Sequence, residues 1–360
     1  MKKYKIGILG CGKVAHLHAK AILEIPDAEL TAVWSRTKKT AENFANQYSV
    51  QAYHSITKMV SENQIDLVIV CTPHPFHIDP TVEAAKAGAS VLVEKPLASS
   101  LSDCDEMIST CHKNGVRLGV ISQRRWYAPT IRVKQAIEDG KIGKPILGTA
   151  TMLSWRDKAY YDADEWRGTW DMEGGGVLVN QSPHQLDVLL WMMGDIDELY
   201  GIWRNLNHPY IEVDDTAVAV IKFKSGAIGN VLVSNSQKPG MYGKVQVHGE
   251  NGSSVGVQTE GGAMFIAGMT GISEPPINDM WTIPGEEHLL EQWKKEDSEF
   301  FQKIDATVYY IKLQIIDFID ALKENREPLV TGEQGRKTVE LFTAIYRSTS
   351  SNSPIKFPLI

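Results

Sequence analysis

Short apolar runs separated by helical patterns occupy the first third of the chain. Tyr4 to Leu9, Leu30 to Trp34, Leu67 to Cys71 and Ala89 to Val93 are such runs, typical of parallel strands covered on both faces. After the first run, apolar residues recur at helical spacing from Val14 to Ile25. Strands that alternate with helices through short connections predict right-handed crossovers and a doubly wound parallel sheet.

The later part of the chain changes to runs that pair around glycine turns. Thr216 to Phe223 precedes Ala227 to Ser234, and Val245 to Gly249 precedes Ser253 to Gln258, which predicts two antiparallel hairpins. Ile146 to Trp155 is predicted to be the first strand of this second sheet. A wide face built from strands commonly lies against another subunit, so we expect a homo-oligomer, a dimer or a tetramer.

A basic and aromatic segment at residues 123–127 interrupts the alternation of strands and helices. We therefore predict a dinucleotide-binding domain over residues 1–125 and a substrate-binding and oligomerisation domain over residues 126–360. The segment from Gly261 to Asp305 is predicted to be irregular. Ile311 to Leu322 and Glu333 to Tyr346 are predicted amphipathic helices, and these last helices are candidates to pack back on the first domain.

Composition and charge exclude several classes of partner. The chain has 360 residues, of which 43% are hydrophobic and 22% are charged, as in an ordinary globular protein of two domains. The formal net charge is -7 and no dense basic block stands out. Nucleic acid and anionic membranes are therefore not expected as partners.

The four cysteines lack the Cys-x-x-Cys spacing of a zinc or redox motif, so we expect buried thiols in a reducing compartment. The amino terminus enters an apolar strand almost at once, which leaves no room for a secretory signal. No apolar run reaches the roughly 18 residues that a membrane span needs. We therefore expect a cytoplasmic protein.

A glycine-rich turn follows the first predicted strand. Gly10-x-Gly12-x-x-Ala15 matches the dinucleotide fingerprint, and Lys13 and Val14 open the helix that follows it. Gly10 permits the tight turn, Gly12 lets the backbone approach a pyrophosphate, and Ala15 allows close packing of the helix. The free amides at the start of the helix carry the anion, so the pattern predicts a bound dinucleotide.

The second predicted strand ends at Ser35 and Arg36, about where the fingerprint expects an acid for the adenosine ribose. A carboxylate would bind the ribose diol of NAD and repel a 2'-phosphate, whereas a hydroxyl beside a guanidinium suits that phosphate. We therefore favour NADP over NAD. The alternative is that Arg36 is a solvated cation of the loop.

The ends of the next strands carry further candidates. Thr72 and Pro73 follow the third run and are predicted to border the nicotinamide half of the cofactor, with His77 nearby and without an assigned chemical role. Glu94 and Lys95 follow the next run. Open α/β sheets bind ligands at the carboxyl ends of their strands, although a Lys-Pro after a strand is by itself more often a solvated loop.

Three motifs together resemble one family. Gly10-Cys11-Gly12, Cys71-Thr72-Pro73 and above all Glu94-Lys95-Pro96 resemble the glucose-fructose oxidoreductase, inositol 2-dehydrogenase and rhizopine catabolism family (Gfo/Idh/MocA), along essentially the whole chain. The resemblance implies a Rossmann domain followed by an α/β domain with a large, mostly antiparallel sheet. It also implies oligomers and NAD(P)-dependent oxidation or reduction of a sugar, inositol or related polyol.

The segment from Asn180 to Asp187 resembles the second signature of the family, which supplies a general acid/base histidine, here His184. The family usually has Asp where Asn180 stands, though some members that act on sugar nucleotides carry Asn. An amide can hold a substrate hydroxyl or the Lys95 ammonium, but it cannot accept a proton. Asp187 is a candidate to orient the His184 ring. Taken alone, a single histidine in a helix such as His184 is more often a satisfied core histidine.

Arginines next to aromatic residues form a further group. Trp155-Arg156 and Trp166-Arg167 flank a loop rich in Tyr and Asp, which suits a carbohydrate, since its C-H faces stack on aromatic rings. Buried tryptophans with ion-paired arginines would explain the same residues. Gln123, with the arginines at 124 and 125, resembles the segment that lines the floor between the domains in the family, and these two arginines are alternatively structural ion-pair partners.

These observations give a working mechanism. The nicotinamide is expected in the cleft between the domains, where His184 takes the proton of a secondary hydroxyl and Lys95 binds the developing alkoxide. Glu94 is expected to position the ribose or Lys95. A binding module without turnover and a hydrolase that uses tightly held NAD are the rivals. A metal enzyme is disfavoured because no cluster of ligands at suitable spacing occurs.

The predicted site can now be stated in full. We expect NAD or NADP as cofactor, a small sugar or polyol as substrate, and no metal. The catalytic residues are predicted to be Lys95, His184 and Asn180. The cofactor-binding residues are predicted to be Gly10, Gly12, Lys13, Val14, Ala15, Ser35, Arg36, Thr72, Pro73, His77, Glu94, Lys95, Gln123 and Arg167.

Overall fold

The computed structural model describes residues 3–259 and 274–359, which form two compact units. The first unit contains the described residues up to Gln123 together with Thr307–Val339. The second unit contains the described residues of 124–265 and 272–306 together with Glu340 and the residues after it. Each unit has its own sheet.

The first unit is built on a six-stranded, fully parallel sheet in the order β3-β2-β1-β4-β5-β6. All residues of β4 and β5, two of its four inner strands, are buried, because helices cover both faces of a parallel sheet. The predicted doubly wound sheet is confirmed. The strands are β1 (Tyr4–Leu9), β2 (Ala28–Trp34), β3 (Gln51–Tyr53), β4 (Leu67–Val70), β5 (Ser90–Val93) and β6 (Leu118–Val120).

Helices alternate with these strands. A short 3₁₀ turn, His74–Phe76, lies between β4 and the next helix, and another, Gln123–Trp126, follows β6. The last two helices of the chain are longer than predicted. The helices are α1 (Lys13–Leu23), α2 (Lys38–Tyr48), α3 (Ile56–Asn63), α4 (Ile78–Lys86), α5 (Leu101–Lys113), α11 (Ala306–Glu324) and α12 (Gly332–Ser351).

Helix α11 packs on β6 within the first unit. The Gln314 amide donates to the carbonyl oxygen of Val120 (2.7 Å) and its oxygen accepts from the backbone of Ser122 (2.8 Å). The ring of Phe318 lies where a side chain at Gly119 would collide with it. Burial of such a ring contributes about 2 kcal/mol, so this contact holds the late helix firmly on the early sheet.

The second unit is built on an eight-stranded sheet in the order β13-β12-β11-β7-β10-β9-β8-β14. Every neighbouring pair is antiparallel except β7 and β10, so the predicted, mostly antiparallel sheet is confirmed. The strands are β7 (Pro145–Leu153), β8 (Ile196–Arg204), β9 (Thr216–Phe223), β10 (Ile228–Ser234), β11 (Lys244–Gly249), β12 (Ser254–Gln258), β13 (Ile277–Trp281) and β14 (Ile355–Lys356).

Five helices and one turn lie in the described part of this unit. The long connection between β7 and β8 holds most of them, and it also carries the polar residues described below. A π-helical turn, Val177–Gln181, comes directly before the longest helix of that connection. The helices are α6 (Ala128–Glu138), α7 (Lys158–Asp162), α8 (Trp170–Glu173), α9 (Pro183–Met193) and α10 (Leu289–Phe301).

One side of the second sheet is apolar and exposed. Along β9, Ala217, Ala219, Ile221 and Phe223 are buried, whereas the alternate residues are exposed, as the period of a strand requires. Several of the exposed residues are nevertheless large and hydrophobic. They are Ile146, Ile202, Val218, Val220, Ile228 and Leu232.

The prediction of an irregular segment from Gly261 to Asp305 is wrong for its described part. Strand β13 and helix α10 lie there, and residues 261–273 of the prediction lie outside the described residues. Trp281 on the strand stacks edge-on against Trp293 on the helix, and Arg132 binds Asp297 of the helix (2.7 Å). These contacts join residues far apart in sequence, so local periodicity does not reveal them.

The four cysteines are free and buried, which agrees with the expectation of small buried thiols. In residues 3–259 and 274–359, no helix is long and apolar enough to cross a membrane. No group of three or more histidine, cysteine or acidic side chains in these residues is arranged to hold a metal ion.

Candidate functional site

The glycine turn after β1 lies against the end of β4. Gly10 has a φ of +96°, a conformation that side chains disfavour, and its amide donates to the carbonyl oxygen of Trp34 (2.8 Å). A Cβ at Gly10 would lie 2.8 Å from the nitrogen of Thr72. Only glycine therefore fits, and the turn is held at the edge of the sheet where β1, β2 and β4 end.

The start of α1 faces open space. Gly12 is exposed, and no atom lies within 4 Å of the place where its Cβ would be. Lys13 and Val14 are half-buried in the first turn, while Ala15 is fully buried against the sheet. A helix amino terminus with free space in front of it suits the phosphates of a dinucleotide.

Ser35 and Arg36 follow β2 directly. Ser35 is half-buried and Arg36 is exposed, with its guanidinium carbon 5.3 Å from the centre of the Phe76 ring. In the described part of the chain, Arg36 has no carboxylate partner. This guanidinium group is held over an aromatic ring and retains its donors for a ligand.

The segment after β4 is held by its own backbone. The Thr72 hydroxyl donates to the carbonyl oxygen of Phe76 (2.8 Å), and Pro73 precedes the 3₁₀ turn. His77 is completely buried, and its Nε2 donates to the carbonyl oxygen of Thr72 (2.7 Å). Its Nδ1 lies 3.1 Å from the carbonyl oxygens of Pro96 and Leu97. His77 thus connects the ends of β4 and β5.

Glu94 and Lys95 follow β5 at the same edge of the sheet. Glu94 is buried, and its carboxylate accepts from Nε2 of His18 (2.8 Å) and from the backbone amide of Lys95 (3.1 Å). Burial alone would raise the pKa of Glu94, but the hydrogen bond and charge of His18 and the charge of Lys95 outweigh it, so the pKa is lowered. Glu94 is therefore a buried, ionised group beside Lys95.

Tyr160 is the centre of a polar cluster in the second unit. Its hydroxyl accepts from the side-chain amides of Asn180 (3.2 Å) and Gln181 (2.9 Å) and from Nη1 of Arg167. The Arg167 guanidinium also lies over the Tyr160 ring, 4.2 Å from its centre, and over the Trp166 ring. The cluster joins α7 to the π-helical turn that contains Asn180.

Glu173 is a buried carboxyl group in contact with this cluster. It accepts from the Asn180 amide (2.5 Å) and from the backbone of Gly168 (2.6 Å). Burial raises the pKa of Glu173 to about 7, although both hydrogen bonds and the charge of Arg167 act in the opposite direction, and the charge of Asp214 adds to the rise. A proton can therefore bind here near neutral pH.

Asp214 fixes the glycine-rich segment that precedes Asn180. Its carboxylate accepts from the backbones of Gly176 (2.7 Å) and Leu178 (2.9 Å) and from the hydroxyl of Tyr346 (2.6 Å). A Cβ at Gly176 would collide with the carbonyl oxygen of Asp214. The backbone that carries Asn180 is thus held from both sides, and a π-helical turn is a frequent feature of functional sites.

His184 lies in the first turn of α9 and is half-buried. Pro183 occupies the first helical position, which suits its fixed φ and missing amide proton. Asp187, one turn later, is buried and holds both Nε (2.8 Å) and Nη2 (2.6 Å) of Arg125. This contact agrees with the alternative, given in the sequence analysis, that Arg125 is a structural ion-pair partner and does not line the site directly.

Gln123 begins the turn after β6, whereas Arg167 belongs to the cluster around Tyr160. Gln123 is half-buried, and its buried Oε1 atom has no hydrogen-bond partner within the described ranges. Arg124 is buried and donates from Nη1 to the hydroxyl of Thr259 (3.3 Å). Arg167, in the other unit's cluster, also binds Asp164 (3.2 Å), so an ion pair explains part of its environment.

Within the first unit, the structure brings Gly10, Thr72, His77, Glu94 and Lys95 to one edge of the sheet. Within the second unit, it brings Asn180 and Arg167 together through Tyr160. The sequence did not point to four residues that hold these groups in place. They are His18, Tyr160, Glu173 and Asp214.

Only part of this omission could have been avoided. Glu173 immediately precedes three glycines, and an acid next to a strained turn is a signal that a close reading could use. His18 lies 76 residues from Glu94, and Asp214 lies 38 residues from Gly176. No spacing rule connects such pairs, because they meet only once the sheets have formed.

Comparisons with known proteins agree with this architecture. A model of the oxidoreductase family with an NAD-binding Rossmann fold matches residues 4–122, and a model of the GFO/IDH/MocA C-terminal domain matches residues 130–255. The first match covers the parallel sheet with its glycine turn. The second covers α6, most of the second sheet and the polar cluster.

Individual proteins are similar over most of their length. Myo-inositol 2-dehydrogenase of Thermotoga maritima is 27% identical over 98% of both chains. The scyllo-inositol 2-dehydrogenase (NAD(+)) of Bacillus subtilis is 31% identical over 69% of this chain and 72% of its own. The crystal structure of the WlbA dehydrogenase from Bordetella pertussis in complex with NADH and UDP-GlcNAcA superimposes with a TM-score of 0.86 and 28% identity, over 100% of this chain and 99% of that one.

Proposed function

The chain belongs to the Gfo/Idh/MocA family of NAD-binding oxidoreductases, and on that premise we propose that it moves a hydride between a nicotinamide cofactor and a secondary alcohol of a sugar or inositol. The observation that carries the proposal is the edge of the first sheet, where the turn from Gly10 to Gly12 follows β1 and the Glu94-Lys95 pair follows β5, with β4 between these two parallel strands. Ligands of open α/β sheets bind at this edge.

The residues of the first unit fit a dinucleotide. The open space in front of Gly12 and the amides of Lys13 and Val14 would hold the pyrophosphate. Thr72 and Pro73 would border the nicotinamide, which when bound gives or accepts the hydride. Gln123, with its unpartnered oxygen, and Arg167 remain proposed contacts of the cofactor.

The proposed chemistry divides between two side chains. The Lys95 ammonium donates a hydrogen bond to the substrate oxygen and stabilises the negative charge that develops there. The His184 imidazole takes the proton of the hydroxyl, or returns it in the reduction. Asn180 cannot accept a proton and instead binds a hydroxyl of the sugar. Glu94 keeps a negative charge beside Lys95, because the charges of His18 and Lys95 outweigh the effect of burial on its pKa.

The preference for the cofactor is proposed to be NADP. Arg36 has no carboxylate partner within the described ranges, and Ser35 adds a hydroxyl beside it, so a 2'-phosphate would gain a charge-assisted hydrogen bond. The neighbour from Bordetella pertussis was solved with NADH, so the preference needs a direct test. Comparison of kcat/KM for NAD and NADP decides it, and a clear NAD preference would remove the proposal.

A substrate screen tests the function. Monosaccharides, inositols and sugar nucleotides are offered with NAD and with NADP while the absorbance of the reduced cofactor is followed. We expect turnover with at least one class, because the similar proteins are named for inositols and one was solved with a sugar nucleotide. No turnover across the panel would contradict the proposal.

Replacement of the proposed base sharpens this test. His184→Ala should reduce kcat by about 10²- to 10⁴-fold, the usual contribution of a general base, and leave the affinity for the cofactor nearly unchanged. His54→Ala is the matched control, since His54 is exposed at the end of β3. Near-normal turnover in the His184 variant would remove this histidine from the mechanism.

We expect the apolar outer face of the second sheet to bind a second copy of the chain. Val220 and Ile228 are each 60% exposed there, and exposed apolar residues grouped on one face commonly mark an interface. Val220→Asp should therefore lower the molar mass measured by light scattering. Leu23→Asp is the control, because Leu23 is equally exposed in the first unit. A monomeric wild-type protein would refute the proposal.

A further inference from the structure

Arg156 is a buried cation without an acidic partner among residues 3–259 and 274–359. It follows β7 and is only 9% exposed. Its Nη1 donates to the carbonyl oxygen of Trp155 (2.8 Å), whereas its Nε is buried and has no acceptor among the described residues. In the described part of the chain, no carboxylate forms an ion pair with it. Most of the donors of this guanidinium group are therefore unused inside the protein.

Three other shielded arginines of the second unit are paired with acids. Arg125 binds Asp187 through two nitrogens, and Arg132 binds Asp297 in the same way. Arg167 binds Asp164. A buried charge is unfavourable unless a counter-ion compensates it, so the absence of an acid at Arg156 requires an explanation.

Asp157, the next residue in the sequence, and Asp215, which shares His208 with Arg156, are engaged elsewhere. Asp157 accepts from the backbone of Tyr160 (2.9 Å) at the start of α7. Asp215 accepts from Nδ1 of His208 (2.8 Å) and from the hydroxyl of Ser236 (2.9 Å). Burial opposes the shift, but these hydrogen bonds outweigh it and hold the pKa of Asp215 well below its usual range, so this carboxylate is already satisfied.

The backbone of Arg156 is fixed. Its amide donates to the carbonyl oxygen of Asn235 (3.1 Å), and its own carbonyl oxygen accepts from Nε2 of His208 (2.7 Å). The guanidinium carbon lies 5.3 Å from the centre of the Tyr160 ring. Because the Tyr160 hydroxyl binds Asn180, Arg156 and Asn180 belong to one cluster.

We propose that Arg156 binds an anionic group of the substrate, a carboxylate or a phosphate, and that the substrate is an acidic sugar rather than a neutral polyol. This inference rests on the proposed function, since it assigns the substrate class of the same site. A guanidinium group matches both anions through two parallel hydrogen bonds. The ligand would supply the counter-ion that the described residues do not.

A binding experiment that needs no turnover comes first. The shift of Tm caused by D-glucuronate, D-glucose 1-phosphate and D-glucose is measured for the wild type and for Arg156→Met. We expect at least one acidic sugar to raise the Tm of the wild type and to lose this effect in the variant, whereas D-glucose acts equally on both. The acid that acts shows whether a carboxylate or a phosphate is bound.

Kinetics with the same sugars provide the second readout. Arg156→Met should lower kcat/KM for the acidic sugar by about 10- to 100-fold, mainly through KM, which is the usual effect of losing a hydrogen bond to a charged group. Lys158→Met removes the same charge from an exposed residue two positions later and should change neither KM nor the Tm shift. Arg156→Lys should recover part of the affinity.

The outcomes separate this inference from the proposed function. The inference would be overturned if neutral and acidic sugars were turned over equally well and Arg156→Met changed neither rate. The proposed oxidoreductase function would still stand in that case. If the Tm of Arg156→Met without added sugar were well below that of the wild type, Arg156 would have a structural role instead. If no sugar is turned over yet acidic sugars still bind through Arg156, the proposed function fails and the anion site remains.

Discussion

Glu94 in the first unit and Glu173 in the second are both buried next to a predicted catalytic residue, yet their pKa values shift in opposite directions. Glu94 accepts from His18 and adjoins Lys95, so positive charge is available to it and its pKa is lowered despite burial. Glu173 accepts from two neutral amides and lies near Asp214, so burial prevails and raises its pKa to about 7.

The comparison shows that burial alone does not decide whether a carboxyl group is ionised. The sign of the charge around it does, since one nearby cation offsets the loss of solvation and one nearby anion adds to it. The first unit therefore holds a fixed negative charge beside an ammonium. The second holds a carboxyl group that can gain or lose a proton near neutral pH. The experiments below test this contrast.

The largest effect is expected from Lys95, the cation of the first unit. Lys95→Ala should reduce kcat by about 10²- to 10³-fold, because the developing charge on the substrate oxygen loses its donor. Binding of the cofactor, measured by fluorescence of the reduced form, should change little. Lys86→Ala, in the exposed part of α4, is the control. Full activity in Lys95→Ala would leave the buried charge of Glu94 without a catalytic role.

Glu94→Gln should cost the next largest amount, about 3 kcal/mol in the free energy of unfolding, because one partner of a buried pair is removed. Since the pKa of Glu94 is lowered from 4.5 in the folded protein, its stabilisation is present above pH 4.5 and is lost as the pH falls through the folded value. Urea unfolding at several pH values should show that the free energy of unfolding falls at acidic pH in the wild type. The variant should lack this decrease.

Glu106→Gln provides the control for that measurement, since Glu106 is an exposed acid on α5. An unfolding free energy of Glu94→Gln that equals the wild-type value at pH 7 would mean that His18 does not hold an ionised carboxylate. The contrast between the two glutamates would then disappear.

Glu173→Gln should have the opposite dependence on pH. The unfolded carboxyl group ionises above 4.5 while the folded one keeps its proton to about 7, so the stabilisation is present at low pH and is lost as the pH rises from 4.5 to about 7. The variant should match the wild type near pH 5 and exceed it by on the order of 1 to 2 kcal/mol at pH 8. Thermal unfolding across this range measures it.

Asp171→Asn serves as the control for Glu173→Gln, because Asp171 is an exposed acid of the same short helix. A wild-type stability that is flat between pH 5 and 8 would show that Glu173 keeps an ordinary pKa.

Asn180→Asp should give the smallest effect. Its carboxylate would replace the amide 2.5 Å from the Glu173 oxygen, so the two acids would share one proton and the pH at which stability falls would rise. We expect KM at pH 7 to change by less than about 10-fold, which corresponds to one hydrogen bond. Asn46→Asp is the exposed control. An unchanged stability profile would mean that Asn180 and Glu173 do not interact.

The fold was predictable where a pattern is local. The buried runs of β1, β4 and β5 are continuous in sequence, and β9 and β10 alternate on both sides of a glycine turn, so their periods identify them. Strand β8 was missed because its burial follows no simple alternation, and β13 because it is a short edge strand that pairs with β12 and packs on α10.

The sequence predicted which residues belong to the candidate site better than it predicted the side chains that hydrogen-bond to them. Gly10, Lys95, Asn180 and His184 came from local motifs, and their roles remain predictions that the proposed variants test. The partners came from elsewhere in the chain. His18 reaches Glu94 and Arg125 reaches Asp187 across long stretches of sequence, and only the closed sheets bring such pairs together.

The connection between β7, which ends at Leu153, and β8, which begins at Ile196, carries almost the whole polar cluster of the second unit. Arg156, Tyr160, Arg167 and Asn180 all belong to it. The specificity for the sugar can therefore evolve, or be engineered, through changes in this one connection, while strands β7 and β8 on either side of it stay the same. Sequence variation among enzymes of different specificity should accordingly concentrate there.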